Sequence, residues 1–261
     1  MVEDREDLSV GGKMSLVGRT RARLLDDTPF IKEVLAFRHP PVGEEMSLVG
    51  RIRAKLREAF GFRYYPFMMS PSQLVVLCEK LARTAGVPGS ILEVGCAFGA
   101  TTVFLNRYID ELGINVDYYA IDTFRGFTPA DIEAERKLGR LYRYETCFRG
   151  NRKAWFDRTM RRNDVSRVTA FRADATEFDY TEIAPFRLVF IDVDLYRPVL
   201  ETLRATYDLV SPGGTIIIDD CMQGGEWGGA YDAYIEFTKE KGLEPVITHW
   251  LGVITKPGAG A

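Results

Sequence analysis

The stretch ILEVGCAFGATT, Ile91 to Thr102, carries an apolar run through two glycines and on into a helical pattern. Gly95 and Gly99 let the backbone turn tightly and come close to a ligand, while Glu93 adds a carboxylate near the end of the run. The spacing is not the G-x-G-x-x-G of dinucleotide-binding folds. A glycine turn between strand and helix is explained as well by packing as by binding, so its meaning depends on what surrounds it.

Downstream, VDYYAID, VTAFRAD, FRLVFIDVD and GTIIID repeat the pattern that SILEV begins, each separated from the next by a helix-length segment. Five such runs predict a parallel sheet with crossover helices. The tail, EPVITHW then LGVITK, adds two short strands close enough to form an antiparallel hairpin, making seven. Upstream, SPSQLVVLCEKLART reads as a helix with Ser70 as its cap and Pro71 in its first turn. The whole is an α/β, doubly wound domain spanning 66–261, and such sheets bind ligands beyond the carboxyl ends of their strands.

The first 65 residues differ. MSLVGRTRARL (14–24) nearly recurs as MSLVGRIRAKL (46–56), with the helix-breaking HPPVGEE between the copies. The pair predicts a helical N-terminal extension. Its basic segments are either solvated surface helices, or an artefact of the start site, or a docking face for a partner such as a second copy of the chain. His39, in the linker, receives no role.

Composition sets outer limits. The chain has 261 residues and a formal charge of −3, which argues against a general nucleic-acid binder. The four cysteines, Cys78, Cys96, Cys147 and Cys221, form no C-x-x-C pair and read as free thiols rather than a disulfide or zinc framework. No window approaches a membrane span, and the charged start lacks the apolar core of a signal peptide, so a cytoplasmic location is expected.

The strand ends carry a succession of acids: Glu93, then Asp122 closing YYAID, then Asp174 closing VTAFRAD. Asp122 is placed to hold ribose hydroxyls, and Asp174 could accept from an adenine amino group. EVGCAFG, AID, RAD and VSPGG together resemble the class I S-adenosylmethionine-dependent methyltransferases, which have a Rossmann-like sheet. FIDVDLY, IIIDDC and HWLGVITK resemble, within that class, the macrocin-type sugar O-methyltransferases. The resemblance spans roughly Ser70 to Lys256. It implies that Glu93, Gly95 and Gly99 lie around the methionine part of the cofactor, that Asp122 holds the ribose, and that Asp174 with Ala175 faces the adenine. Ala97, Thr101, Thr123 and Asp192 are expected to join them. Ala97 departs from the family pattern, since many members have a middle glycine there.

Strand four ends with Asp192 and Asp194, placed on one side by strand alternation, and strand five ends with Asp219 and Asp220. If those strands pair, about 4.8 Å apart, Asp192 converges with Asp219 and Asp220. Three carboxylates at one point are costly unless a cation shares the site, and oxygen ligands favour Mg²⁺ or a similar hard ion. The related metal-dependent enzymes also imply Asp192, Asp219 and Asp220 as ligands. Where their catechol-type members place a lysine base this chain has Leu195, which leaves Asp192, Asp194 or His249 as the base. No N/D-P-P-Y stretch follows strand four, so an oxygen acceptor is favoured over a base amine.

The expected function is methyl transfer to a hydroxyl of a small molecule, a sugar of a natural product or glycolipid. FRYYPF and QGGEWGG are expected to cover the acceptor, as a mobile lid or with Trp227 packed. The rival readings are a metal-independent methyltransferase, a nicotinamide-dependent oxidoreductase, which lacks its glycine motif here, and a non-catalytic partner-binding protein that has kept the fold.

Overall fold

The computed structural model describes residues 69–140, 144–225 and 227–258. The N-terminal extension, its repeated segments and FRYYPF therefore lie outside the described residues. In chain order the elements are α1 (Pro71–Arg83), β1 (Ser90–Val94), α2 (Ala100–Glu111), β2 (Tyr118–Asp122), α3 (Pro129–Lys137), α4 (Lys153–Arg162) and β3 (Val168–Arg172). There follow β4 (Phe186–Ile191), α5 (Tyr196–Thr206), β5 (Val210–Ile218), α6 (Gly228–Lys241), β6 (Val246–Thr248) and β7 (Leu251–Thr255). The strands form one seven-stranded sheet in the order β3-β2-β1-β4-β5-β7-β6. All neighbours are parallel except β7, which runs antiparallel to both β5 and β6.

Each element has a local cause. Ser70 and Gln73 form a reciprocal cap: the Ser70 Oγ accepts from the Gln73 N–H at 3.3 Å, and the Gln73 Oε1 accepts from the Ser70 N–H at 2.8 Å. The apolar runs SILEV and FRLVFI fill the two central strands, β1 and β4, which helices cover on both faces. Leu200, Leu203, Tyr234 and Phe237 from α5 and α6 pack with Ile216 and Ile218 on one side. On the other side Phe156 and Met160 of α4 meet Phe124 and Cys96. The four cysteines are all free thiols.

Strand order reverses between β1 and β4, the position where doubly wound sheets open a ligand crevice. There β1 ends in Gly95, at φ +91°, packed against the end of β4. A Cβ on Gly95 would stand 1.8 Å from the Asp192 carbonyl oxygen. The glycine is thus required by the neighbouring backbone, whatever else it touches. The strand boundaries also refine the sequence reading. β4 stops at Ile191, so the chain has left the sheet before Asp192, Val193 and Asp194. Asp194, at φ +61°, is the middle of a tight turn closed by the Leu195 N–H on the Val193 carbonyl at 2.6 Å. Asp192 and Asp194 come together through that turn, not through strand alternation.

A Gly95→Ala substitution meets backbone rather than a yielding side chain and also strains a positive φ. It is expected to cost about 3 kcal/mol or more of folding stability, measured by urea denaturation.

Candidate active site

The carboxyl ends of the strands enclose a cavity of about 310 Å³. Gly95, Ala97 and Thr101 come to its wall from the β1 exit, and Asp122 and Thr123 from β2. Asp174 and Ala175 enter from β3, Asp192 from β4, and Asp219 and Asp220 from β5. Glu93, Gly99 and His249 are not in the wall.

The β1 loop is fixed by acids. The Ala97 N–H donates to Asp122 Oδ2 at 2.8 Å, and the Phe124 N–H donates to Asp122 Oδ1 at 2.6 Å. Burial raises the Asp122 carboxyl above its usual range against these hydrogen bonds. Ala97 itself sits at φ +46°, in the left-handed region that an L-residue occupies at a cost and glycine does not. A glycine at this position would carry no such cost. Asp174 is turned by Thr176, whose N–H and hydroxyl both donate to Asp174 Oδ1 at 2.9 Å.

Glu93 lies behind this loop. Its Oε2 accepts from Thr102 at 2.6 Å and from the Tyr118 hydroxyl at 2.7 Å, which ties β1 to α2 and β2. Its Oε1 is buried with no partner, and burial pushes the carboxyl up to about 7. His249 and Trp250, at φ +49° and +67°, form the two-residue turn between β6 and β7. Both are exposed, and of the pair Trp250 alone joins the cavity wall.

Asp192, Asp194 and Asp220 bring one carboxylate oxygen each within 4.8 Å of one another. Burial, and then the neighbouring acids, hold Asp192 and Asp194 well above the usual carboxylate range. The group expected from the sequence was Asp192 with Asp219 and Asp220; in the structure Asp194 takes the place of Asp219. The Asp219 Oδ1 instead accepts from Gln73 Nε2 and from the Asp220 N–H, both at 2.8 Å. Its carboxyl is pushed up to about 7 by burial and by Asp220. Adjacent acids are therefore tolerated by division of labour: one anchors the turn and the other enters the cluster.

The segment between β2 and α4 forms the opposite wall. Asp131 of α3 pairs with Arg197 at 2.7 Å, and buried Glu135 accepts from the Tyr196 N–H at 2.6 Å at the start of α5. Phe127, Tyr144 and Phe148 surround Trp227, with ring centroids 5.9, 6.0 and 6.3 Å away. Trp227 is thus packed. Gly229 is also part of the packing, since a Cβ there would lie 2.5 Å from Glu135 Oε1. In the sequence only QGGEWGG, with Trp227, hinted at this wall, and Gln73, Asp131 and Arg197 gave no signal.

The profile of the macrocin O-methyltransferase (TylF) family matches residues 72–254. The chain belongs to that family. It is an S-adenosylmethionine-dependent O-methyltransferase with a class I fold. The O-methyltransferase NovP is similar in structure, with a TM-score of 0.65 and 20% identity over 74% of this chain and 83% of NovP. The calicheamicin methyltransferase CalS11 gives 0.59 at 16% identity, covering 98% of each chain. Its apo structure gives 0.51 at 15% identity, over 96% of this chain and 99% of that one. At these identities the likeness establishes the fold. No curated protein sequence matches the chain. Among the described residues of this methyltransferase no helix is long and apolar enough to cross a membrane.

Glu93 gives a pH dependence. Between about 4.5 and about 7 the unfolded chain loses a proton that the folded chain keeps, so ionisation favours the unfolded state. Stability of the cofactor-free protein falls as pH rises through that window, by about 3 kcal/mol from this group. Glu93→Gln is expected to flatten that part of the profile, followed by urea denaturation at successive pH values.

Proposed function

We propose that the cavity brings a sugar hydroxyl, on a natural product or glycolipid precursor, to the methyl group of S-adenosylmethionine with the help of a divalent cation. The observation that carries this reading is the group of three carboxylates, Asp192, Asp194 and Asp220, standing in the wall of the cavity at the strand-order reversal. A relative with the same fold, CalS11, is described as a TDP-rhamnose 3'-O-methyltransferase, which supports a sugar as the acceptor.

The residues present fit the cofactor. When bound, S-adenosylmethionine supplies an electrophilic methyl group on a sulfonium. Asp122 has both oxygens fixed by backbone N–H groups and keeps lone pairs for the ribose hydroxyls, with Thr123 beside it. Asp174 and Ala175 take the adenine side. Gly95, Ala97 and Thr101 shape the methionine side, Gly99 packs behind them against Met160 and Phe156, and Glu93 supports that loop through Thr102.

The donor set also fits a hard cation: all three groups are carboxylates, with no nitrogen or sulfur ligand in the group. When bound, a Mg²⁺-like ion supplies charge that orients the hydroxyl and lowers its pKa. Asp192 is hydrogen-bonded through its N–H to the Val94 carbonyl at 2.7 Å, which keeps it beside the cofactor loop, and it receives the hydroxyl proton. His249, exposed on the hairpin turn and outside the wall, is the weaker candidate for that role. The aromatic wall of Phe127, Phe148 and Trp227 would exclude water from the reacting oxygen.

Calorimetry should show S-adenosylmethionine binding, weakened roughly tenfold or more in Asp122→Ala. No binding at high micromolar concentration would remove the cofactor assignment. Mg²⁺ is expected to raise the melting temperature by about 2–4 °C. Asp194→Asn or Asp220→Asn should abolish that rise, and Asp219→Asn, which keeps an acceptor for Gln73, should not. Activity that survives exhaustive chelation would rule the cation out.

A further inference from the structure

Three arginines on the loops that line the cavity have no part in this scheme. Gly126 and Phe127 line the cavity on one loop, and Phe148 and Asn151 line it on another. The two loops abut: a Cβ on Gly126 would stand 2.5 Å from the Cys147 carbonyl and 3.1 Å from the Arg149 nitrogen. Arg125 directly precedes the first lining pair, and Arg149 and Arg152 flank Asn151 and Phe148. All three are exposed. Arg152 is steadied by the carbonyls of Arg149 at 2.8 Å and Asn151 at 2.7 Å.

Among the described residues, none of these three guanidiniums has a carboxylate partner. Arg136, Arg140, Arg167, Arg197 and Arg204 elsewhere each pair with one. Arg161 and Arg187 also lack one, but only Arg125, Arg149 and Arg152 lie on the two abutting loops that line the cavity, in a chain whose net charge is −3. In the wall of the same cavity Asp192, Asp194, Asp219 and Asp220 would repel an anion. The acids and the arginines thus select opposite features: a neutral hydroxyl beside the acids and negative charge beside the arginines.

We propose that the acceptor carries a phosphate or diphosphate group, held by Arg125, Arg149 and Arg152 while its sugar hydroxyl reaches the acid cluster. Guanidinium forks match phosphate oxygens two at a time and stay charged at any working pH. The cations flank residues of the cavity wall, which favours a small anionic substrate over a macromolecule lying across the surface. This inference rests on the cavity being the methyl-transfer site.

The test uses the full chain saturated with S-adenosylhomocysteine at about 0.15 M salt, where screening reaches over roughly 8 Å. Thymidine diphosphate and inorganic pyrophosphate are titrated in by calorimetry. Both are expected to bind, with affinity falling roughly tenfold in Arg149→Glu and in Arg125→Ala/Arg149→Ala, and falling less in Arg149→Lys, which keeps the charge but loses the fork. S-adenosylhomocysteine affinity and melting temperature should stay unchanged in all variants, since these side chains are exposed. Failure of both anions to bind the loaded protein would overturn the inference while leaving the methyltransferase reading intact. An equal loss of S-adenosylhomocysteine affinity would overturn it too, by assigning the arginines to the cofactor's carboxylate. Tighter binding of a single-stranded RNA oligomer, lost in the same variants, would replace it with a nucleic-acid surface. If S-adenosylhomocysteine itself does not bind, both readings fall.

Discussion

The contact between Gly95 and the Asp192 carbonyl is the constraint on which the rest of the site depends. Two parallel strands, β1 and β4, leave the sheet side by side, and only a residue without a Cβ lets them do so at this distance. One exit then becomes the glycine loop that Asp122 holds by its backbone. The other becomes the turn that carries Asp192 and Asp194. The proposed cofactor loop and acid cluster are consequences of one close approach, so neither can shift without the other.

The cluster is held against its own electrostatics. Asp194 and Asp220 both adopt positive φ, and burial with the neighbouring acids makes Asp192 and Asp194 resist ionisation. Conformational strain of this kind persists only when the surroundings over-determine it. Here they do: Gln73 reaches from the first turn of α1 to Asp219, and Asp219 in turn receives the Asp220 N–H. A helix cap at one end of the domain's sequence thus orients a carboxylate more than a hundred residues later. A proton shared within the cluster or a bound cation relieves the remaining repulsion.

Much of this was legible in the residues because it follows from local rules. Apolar runs of strand length between helical segments gave the sheet, and the final pair gave the antiparallel edge. Ser70 announced its helix. The acids at consecutive strand ends marked the cavity, since position on a strand fixes where a side chain emerges. What stayed hidden depends on turns and on partners distant in sequence. Nothing local says that β4 ends at Ile191, so the approach of Asp194 to Asp220 could not be foreseen, nor that Gln73 would claim Asp219. The glycines near Trp227 suggested mobility, yet Gly229 is explained by the Glu135 carboxylate it must admit. His249 is a different case: a rare, titratable residue, it lies on an exposed turn outside the cavity wall.

The placement of β7 has a consequence for how the molecule comes into being. β5, whose end carries Asp219 and Asp220, lies between β4 and β7, and β7 occupies residues 251–255, more than thirty positions further along the chain. The Cys221 N–H, next to the acid pair, bonds to the Trp250 carbonyl at 2.7 Å. On a translating ribosome, then, Ile216 to Ile218 present an open strand edge until residues 251–255 have emerged, a surface prone to pairing with the wrong neighbour. The acids reach their final setting only when the last hairpin closes. Assembly of the acid pair's surroundings is therefore tied to the emergence of β7, and not to that of β5 alone.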